Sequence, residues 1–449
     1  MTSNLFLKTQ KKHFIGSSPL TLFAYASVFF PRILDSVGFP SPINFVHFLV
    51  VPIIFGFVLL ENNTRDKEKN KATNLLLAML LVFLISLTIS AVVNEAGLVN
   101  LALSYMLLAE PFFFLIIIVY LPLDWNSLTR LRNWFLLFSL INVMLAFIQY
   151  ILINIGLLKV TQMTPWDNVQ GVFYLSGAGH VVSSAVSMMF GLYYFASPKL
   201  ALVWMRVTFL MATFIQLLVA DAKQTLLTFL VAWGFLIFLK LTDIKVVFQY
   251  AISAIVVFYS LIWAINNLAL FAAFNDWLNL ELFEPAGRAT LLKTGGIRII
   301  TSYYESPLNW LFGLGPGHTV SRLGGWMLQD YWNLLAPLGA TIHPVSEAVW
   351  TTWRGHFLNS SFFSPLFSWL GIWGDTGYVG LTIYLCLWWI VWIQFCKDDF
   401  SKFIVITVMV TGFIFTQLEE PGYMITVTAL IGLRWNELKL MNSSQEALS

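Results

Sequence analysis

The sequence predicts an all-α polytopic membrane protein with about twelve transmembrane helices and one large extracytoplasmic loop. Three observations carry that expectation. Of 449 residues, 58% are hydrophobic and only 11% are charged, and the mean hydropathy is +0.76. A soluble globular chain carries roughly a quarter charged residues, so a chain this apolar could not cover a surface facing water. Apolar runs recur at the length that crosses a bilayer, about 20 residues of helix. Basic residues collect in alternate connections between those runs, as the positive-inside rule requires.

The runs are 20–38, 43–60, 74–93, 98–121, 134–157, 172–196, 204–220, 224–240, 246–266, 377–396, 402–418 and 422–436. With the N-terminus in the cytoplasm, inner connections hold Lys8, Lys11, Lys12, Arg65, Lys67, Lys69, Lys71, Arg130, Arg132, Lys199, Arg206, Lys240, Lys245, Lys397, Lys402, Arg434 and Lys439. The outer side holds Arg32, Lys159, Lys223, Arg288, Lys293, Arg298, Arg322 and Arg354. Both termini are then cytoplasmic. The segment 360–376 is apolar but contains Pro365, Gly371, Gly374 and Asp375, and reads as a re-entrant or interfacial piece. A full span there would carry Lys397 and Lys402 to the outside. The chain reads as one membrane domain, 1–449, with the insert 267–359 as its outer loop before the last three spans.

Several function classes drop out early. A net charge of +2 leaves no nucleic-acid footprint. The 6 histidines and 2 cysteines have no metal or haem spacing, so neither a metal nor another cofactor is expected. Cys386 and Cys396 share one apolar run, where a helix would separate them by roughly 15 Å along its axis, too far to pair. The N-terminus is polar through Gly16 and lacks a small-residue cleavage site, so no cleavable signal peptide is expected.

The insert concentrates the chemistry. Arg288, Lys293 and Arg298 follow Pro285-Ala286-Gly287 with no acid between them. A helix over about 288–304 would put Arg288 and Arg298 about 80° apart and turn Lys293 away. Two guanidiniums on one face suit a phosphate or diphosphate; a surface helix reaching headgroups or water has the same spacing. Next, Gly313-Leu-Gly315-Pro-Gly317-His318 makes a tight turn, either a connector or a close approach to a partner. Trp326, Trp332, Trp350 and Trp353 offer faces for sugar rings or an interfacial aromatic belt. His318, His343 and His356 are each a candidate base or a plain hydrogen-bonding group. Outside the insert, Asp221 and Lys223 sit in a short outer turn, where Lys223 either reaches a lipid-linked phosphate or pairs locally. Glu110 and Arg32 lie within spans and require partners. His47 and His180 read as hydrogen-bonded packing residues.

In this order, these blocks resemble the bacterial O-antigen polymerase and ligase superfamily. Ala220–Leu227 is similar to that family's short outer turn, with Lys223 where an arginine is usual. Gly287-Arg288 through Phe312-Gly313-Leu314-Gly315 is similar to its arginine-headed helix and Phe-Gly-x-Gly turn. His356-Phe-Leu-Asn359 followed by Leu370-Gly371-Ile-Trp-Gly374 resembles its His/Asn motif and exit, although His and Asn stand three apart here. The shared region covers roughly 205–400. The resemblance implies a GT-C-like, metal-independent glycosyltransferase of the bacterial inner membrane. Its donor would be a polyprenyl-diphosphate-linked glycan, and its neighbours membrane lipid and other assembly proteins, such as a flippase or chain-length regulator.

On that reading an acceptor hydroxyl attacks the anomeric carbon and polyprenyl diphosphate leaves. Arg288, Arg298, Lys223 and Arg354 would neutralise the leaving group. His356 would position or deprotonate the hydroxyl, with Asn359 orienting it. Gly315, His318 and Trp353 would line the substrate path, and Glu347 is a secondary base. A polymerase of O-antigen, capsule or exopolysaccharide is the first expectation, and a ligase acting on lipid A core the second. A polysaccharide or small-solute transporter and a non-catalytic scaffold are the readings from other classes.

Overall fold

A computed structural model of the chain describes residues 17–61, 66–162, 164–174, 178–197, 201–240, 244–268, 271, 280–353 and 361–446. Among them every regular element is helical. Five helical stretches are long and apolar enough to cross a membrane: Ser41–Glu61, Lys67–Val93, Leu98–Tyr120, Trp125–Asn154 and Ser368–Gln394. Shorter apolar helices include Val203–Val219 and Lys223–Phe238. Large apolar side chains face outward, among them Leu49, Ile53 and Leu60 on one helix and Leu81, Val82 and Val92 on the next. Water penalises a surface of that kind; lipid does not.

Leu98–Tyr120 runs through the centre. Every residue from Leu107 to Leu121 is buried, as expected of a helix apolar on all sides. Pro421–Glu446, His47–Glu61 and Lys67–Val93 pack around it. The Glu110 carboxylate, the one charge in this stretch, meets His47 Nδ1 at 2.8 and 2.9 Å. The partner that a buried carboxylate needs is therefore supplied across two helices.

Three aspartate-capped helix starts gather at one end of the bundle. Asp66, Asp124 and Asp398 each cap a helix by accepting backbone N–H groups two or three residues on. The same end is laced with ion pairs. Arg434 meets Asp398 at 2.6 Å, Lys240 meets Asp399 at 2.7 Å, Arg132 meets Glu437 at 3.2 Å, and Lys439 pairs with Asp66.

Three boundaries differ from the sequence pattern. The run 20–38 is two helices, Ser17–Phe29 and Pro31–Ser36, because Pro31 cannot donate to the helical ladder. The run 172–196 opens with a 3-10 turn and becomes an α-helix only at Gly179. The segment read as re-entrant leads into Ser368–Gln394, whose backbone breaks at Gly377 (φ 65°, ψ −166°). A Cβ there would lie 2.3 Å from the Leu311 carbonyl, so only glycine lets the loop and the helix approach so closely. Cys386 and Cys396 are both free.

Candidate functional site

The basic helix of the insert forms as Arg288–Ser302. Arg288 and Arg298 are exposed and Lys293 turns inward, as the helical spacing requires. Lys293 Nζ donates to the carbonyls of Ile414 at 2.7 Å and Phe413 at 3.3 Å, and lies 5.1 Å from the Phe367 ring. Burial pushes its ammonium down to about 7. Trp353 lies against this helix, where a Cβ on Gly295 would come within 2.4 Å of the indole. Arg354, His356 and Asn359 lie outside the described residues, as do residues 1–16, where the absence of a signal peptide was read.

The glycine turn is a docking device. Leu314 N–H donates to the Gly374 carbonyl at 2.8 Å, and Gly315 N–H to the Asp375 carbonyl at 3.1 Å. The Asp375 carboxylate accepts from Gly317 N–H, Thr319 N–H and the Thr319 hydroxyl at 2.8, 2.8 and 2.6 Å. Ser90 closes the joint by donating to the carbonyls of Phe312 and Asp375. Two sequence blocks that stand 60 residues apart are thus one structural module. Gly315 holds φ +106°, and a Cβ there would lie 2.9 Å from His318 Nδ1. His318 is buried. Its Nδ1 donates to the Leu314 carbonyl and its Nε2 accepts from the Thr341 hydroxyl, both at 2.8 Å. With both ring nitrogens engaged, His318 latches the turn.

Beyond this module the chain forms a cavity of about 290 Å³ with mixed polar and aromatic walls. Residues from several distant segments line it, among them Arg32 and His47, Arg322, Trp326, Asp330, Tyr331 and Trp350, and Glu420. Leu323–Met327 is a π-helical turn that starts directly after Arg322. Such turns recur at functional sites. The Arg322 guanidinium pairs with Glu420 and lies 5.6 Å from the Trp326 ring. Arg322 N–H donates to Glu419 at 2.8 Å. Burial, together with the nearby Asp375 charge, pushes the Glu419 carboxyl up to about 8. Trp326 stacks on Phe415 at 5.4 Å, and Tyr331 meets Phe45 edge-on at 4.7 Å. Among the described residues, Arg32 and Asp330 form no ion pair or hydrogen bond. Their charges are nonetheless close enough for Arg32 to oppose the upward shift that burial imposes on Asp330.

Of the residues the sequence offers as candidates, Trp326 and Trp350 line this cavity, whereas Lys223, Arg288, Arg298, Gly315, His318 and Trp353 do not. Lys223 pairs with Asp221 in the turn before Lys223–Phe238, near His180, which meets Asp167 at 3.5 Å. A separate apolar groove of about 990 Å³ runs between Lys223–Phe238, Ser368–Gln394 and Asp399–Thr411. It reaches Phe362, Phe413 and Ile414, the neighbours of Lys293. No protein-family model matches the chain, and no curated protein matches it.

The sequence pattern missed Arg322, Asp330 and Glu420 as a group. Two signals were available: the Arg322/Trp326 spacing of four, and Glu419-Glu420-Pro421, adjacent acids between apolar runs in a chain with few charges.

Proposed function

We propose that the chain is a polysaccharide polymerase of the bacterial inner membrane. It transfers a polyprenyl-diphosphate-linked glycan to a lipid-linked repeat unit on the outer face. This reading takes the fold as twelve spans with the insert 267–359 outside and both termini inside. The observation that carries it is the cavity, which sets Arg32 and Arg322 beside the rings of Trp326, Tyr331 and Trp350. Guanidiniums suit a diphosphate, and tryptophan faces suit sugar rings. A ligand carrying both groups answers both halves of the lining.

The reaction is attack of an acceptor hydroxyl on the anomeric carbon, with the bond to the diphosphate oxygen breaking. Negative charge grows on the departing diphosphate. Fixed cations lower that barrier more than they stabilise the bound substrate. Arg32 takes this role in the cavity, Arg322 being held by Glu420, and Arg288, Arg298, Lys223 and Arg354 remain sequence candidates for it. His356 and Asn359 remain candidates for holding the acceptor.

Gel profiles of surface and lipid-linked polysaccharide from a deletion strain test the reading. Single repeat units without the long ladder, restored by wild type but not by Arg32→Ala, support a polymerase. Full-length chains stranded on the carrier turn the assignment to a ligase. An unchanged profile removes both and favours a transporter.

A further inference from the structure

The cavity holds more charge than a binding role needs, and most of it is already committed. Glu420 is paired with the Arg322 guanidinium, and Glu419 accepts the Arg322 N–H. His47 is held by Glu110. Asn44 donates to Asp35 at 2.8 Å and to Tyr331 at 3.3 Å. What remains on the cavity wall is one acid and one base, Asp330 and Arg32, each without an ion pair or hydrogen bond among the described residues. Both stand on short helices: Asp330 ends Leu328–Asp330 and Arg32 is the second residue of Pro31–Ser36. Asp330 is exposed to the cavity mouth, so a proton taken there can return to solvent.

We propose that Asp330 is the catalytic base of the glycan transfer, taking the proton from the acceptor sugar hydroxyl while Arg32 meets the departing diphosphate. The inference rests on the polymerase reading and names the residue that makes the acceptor reactive. The hydroxyl proton passes to an Asp330 carboxylate oxygen. The hydroxyl oxygen forms its bond to the anomeric carbon. The bond from that carbon to the diphosphate oxygen breaks, and its electron pair leaves with the diphosphate, opposite Arg32. Trp326 and Trp350 flank the space in which an acceptor ring would lie against Asp330. A carboxylate that forms no ion pair or hydrogen bond among the described residues suits this task because its oxygens are available to the hydroxyl. Glu420 is already bound to a guanidinium, and Glu419 is buried and accepts from the Arg322 N–H.

The test uses the full-length protein in lipid vesicles, with lipid-linked repeat units extracted from the deletion strain as substrate. Wild type should extend chains with a rate that falls on the acid side as its base is protonated. Asp330→Asn should lower kcat by roughly 10²–10⁴-fold, the range of a lost general base, with KM nearly unchanged and the acid limb gone. Asp330→Glu should recover part of the rate and keep an acid limb, which shows that the site still folds. An Asp330→Asn enzyme with the wild-type kcat and acid limb overturns the assignment and leaves the polymerase reading standing. So does a loss confined to KM, or an acid limb removed by His356→Ala instead. A wild-type protein that extends no chains overturns the polymerase reading itself.

Discussion

The two ends of the helical bundle use charge in opposite ways. At the end that holds Asp66, Asp398 and Glu437, carboxylates cap helices and meet Lys439, Arg434 and Arg132 in pairs. At the other end, the cavity walls carry a paired Arg322 and Glu420 alongside Arg32 and Asp330, which form no ion pair among the described residues. At the first end these charges are matched to one another across helix ends, Arg132 and Glu437 in buried surroundings. Unpaired charges facing a shaped cavity are available to a substrate. The contrast teaches where to look for chemistry in a chain with few charged residues: at the groups that folding leaves unmatched.

Substitutions sharpen this comparison in order of expected effect. Arg32→Ala should reduce chain elongation by about 10²–10³-fold, the effect of removing one donor to developing negative charge, with protein level unchanged in membrane blots. His47→Ala leaves Glu110 buried without its partner and should cost about 3–5 kcal/mol, read as a lower Tm in detergent. Gly315→Ala forces a side chain into φ +106° and against His318. It should cost about 1–3 kcal/mol, with elongation falling as the docked turn loosens. Lys439→Ala, at the opposite end, should change stability by less than about 1 kcal/mol and leave glycan length as in wild type. A large functional loss from Lys439→Ala would break the distinction between the two ends.

Much of the helical architecture was legible in the sequence. The runs 43–60, 74–93, 98–121 and 134–157 match helices long and apolar enough to cross a membrane, because their signal is length and apolarity. The basic helix after Gly287 and the inward turn of Lys293 also followed from periodicity. Local breaks were harder to read. Pro31 splits a run whose hydropathy is continuous, and Gly377 turns the backbone without changing the apolar pattern. The cavity was the least legible part. Arg32, Arg322, Asp330 and Glu420 come from segments that only folding brings together, and no local pattern records such a meeting. The glycine turn shows the same limit from the other side. Its spacing marked it, but its role depends on Asp375, which reads by itself as a lone acid in an apolar stretch.

The most direct measurement is chain extension by the purified full-length protein in lipid vesicles, supplied only with polyprenyl-diphosphate-linked repeat units and followed by gel. A ladder that grows with time for wild type and stays at single units for Arg32→Ala is the expected result. A wild-type protein that leaves every unit unextended, or an Arg32→Ala protein that builds the same ladder, would contradict the placement of glycan transfer in this cavity.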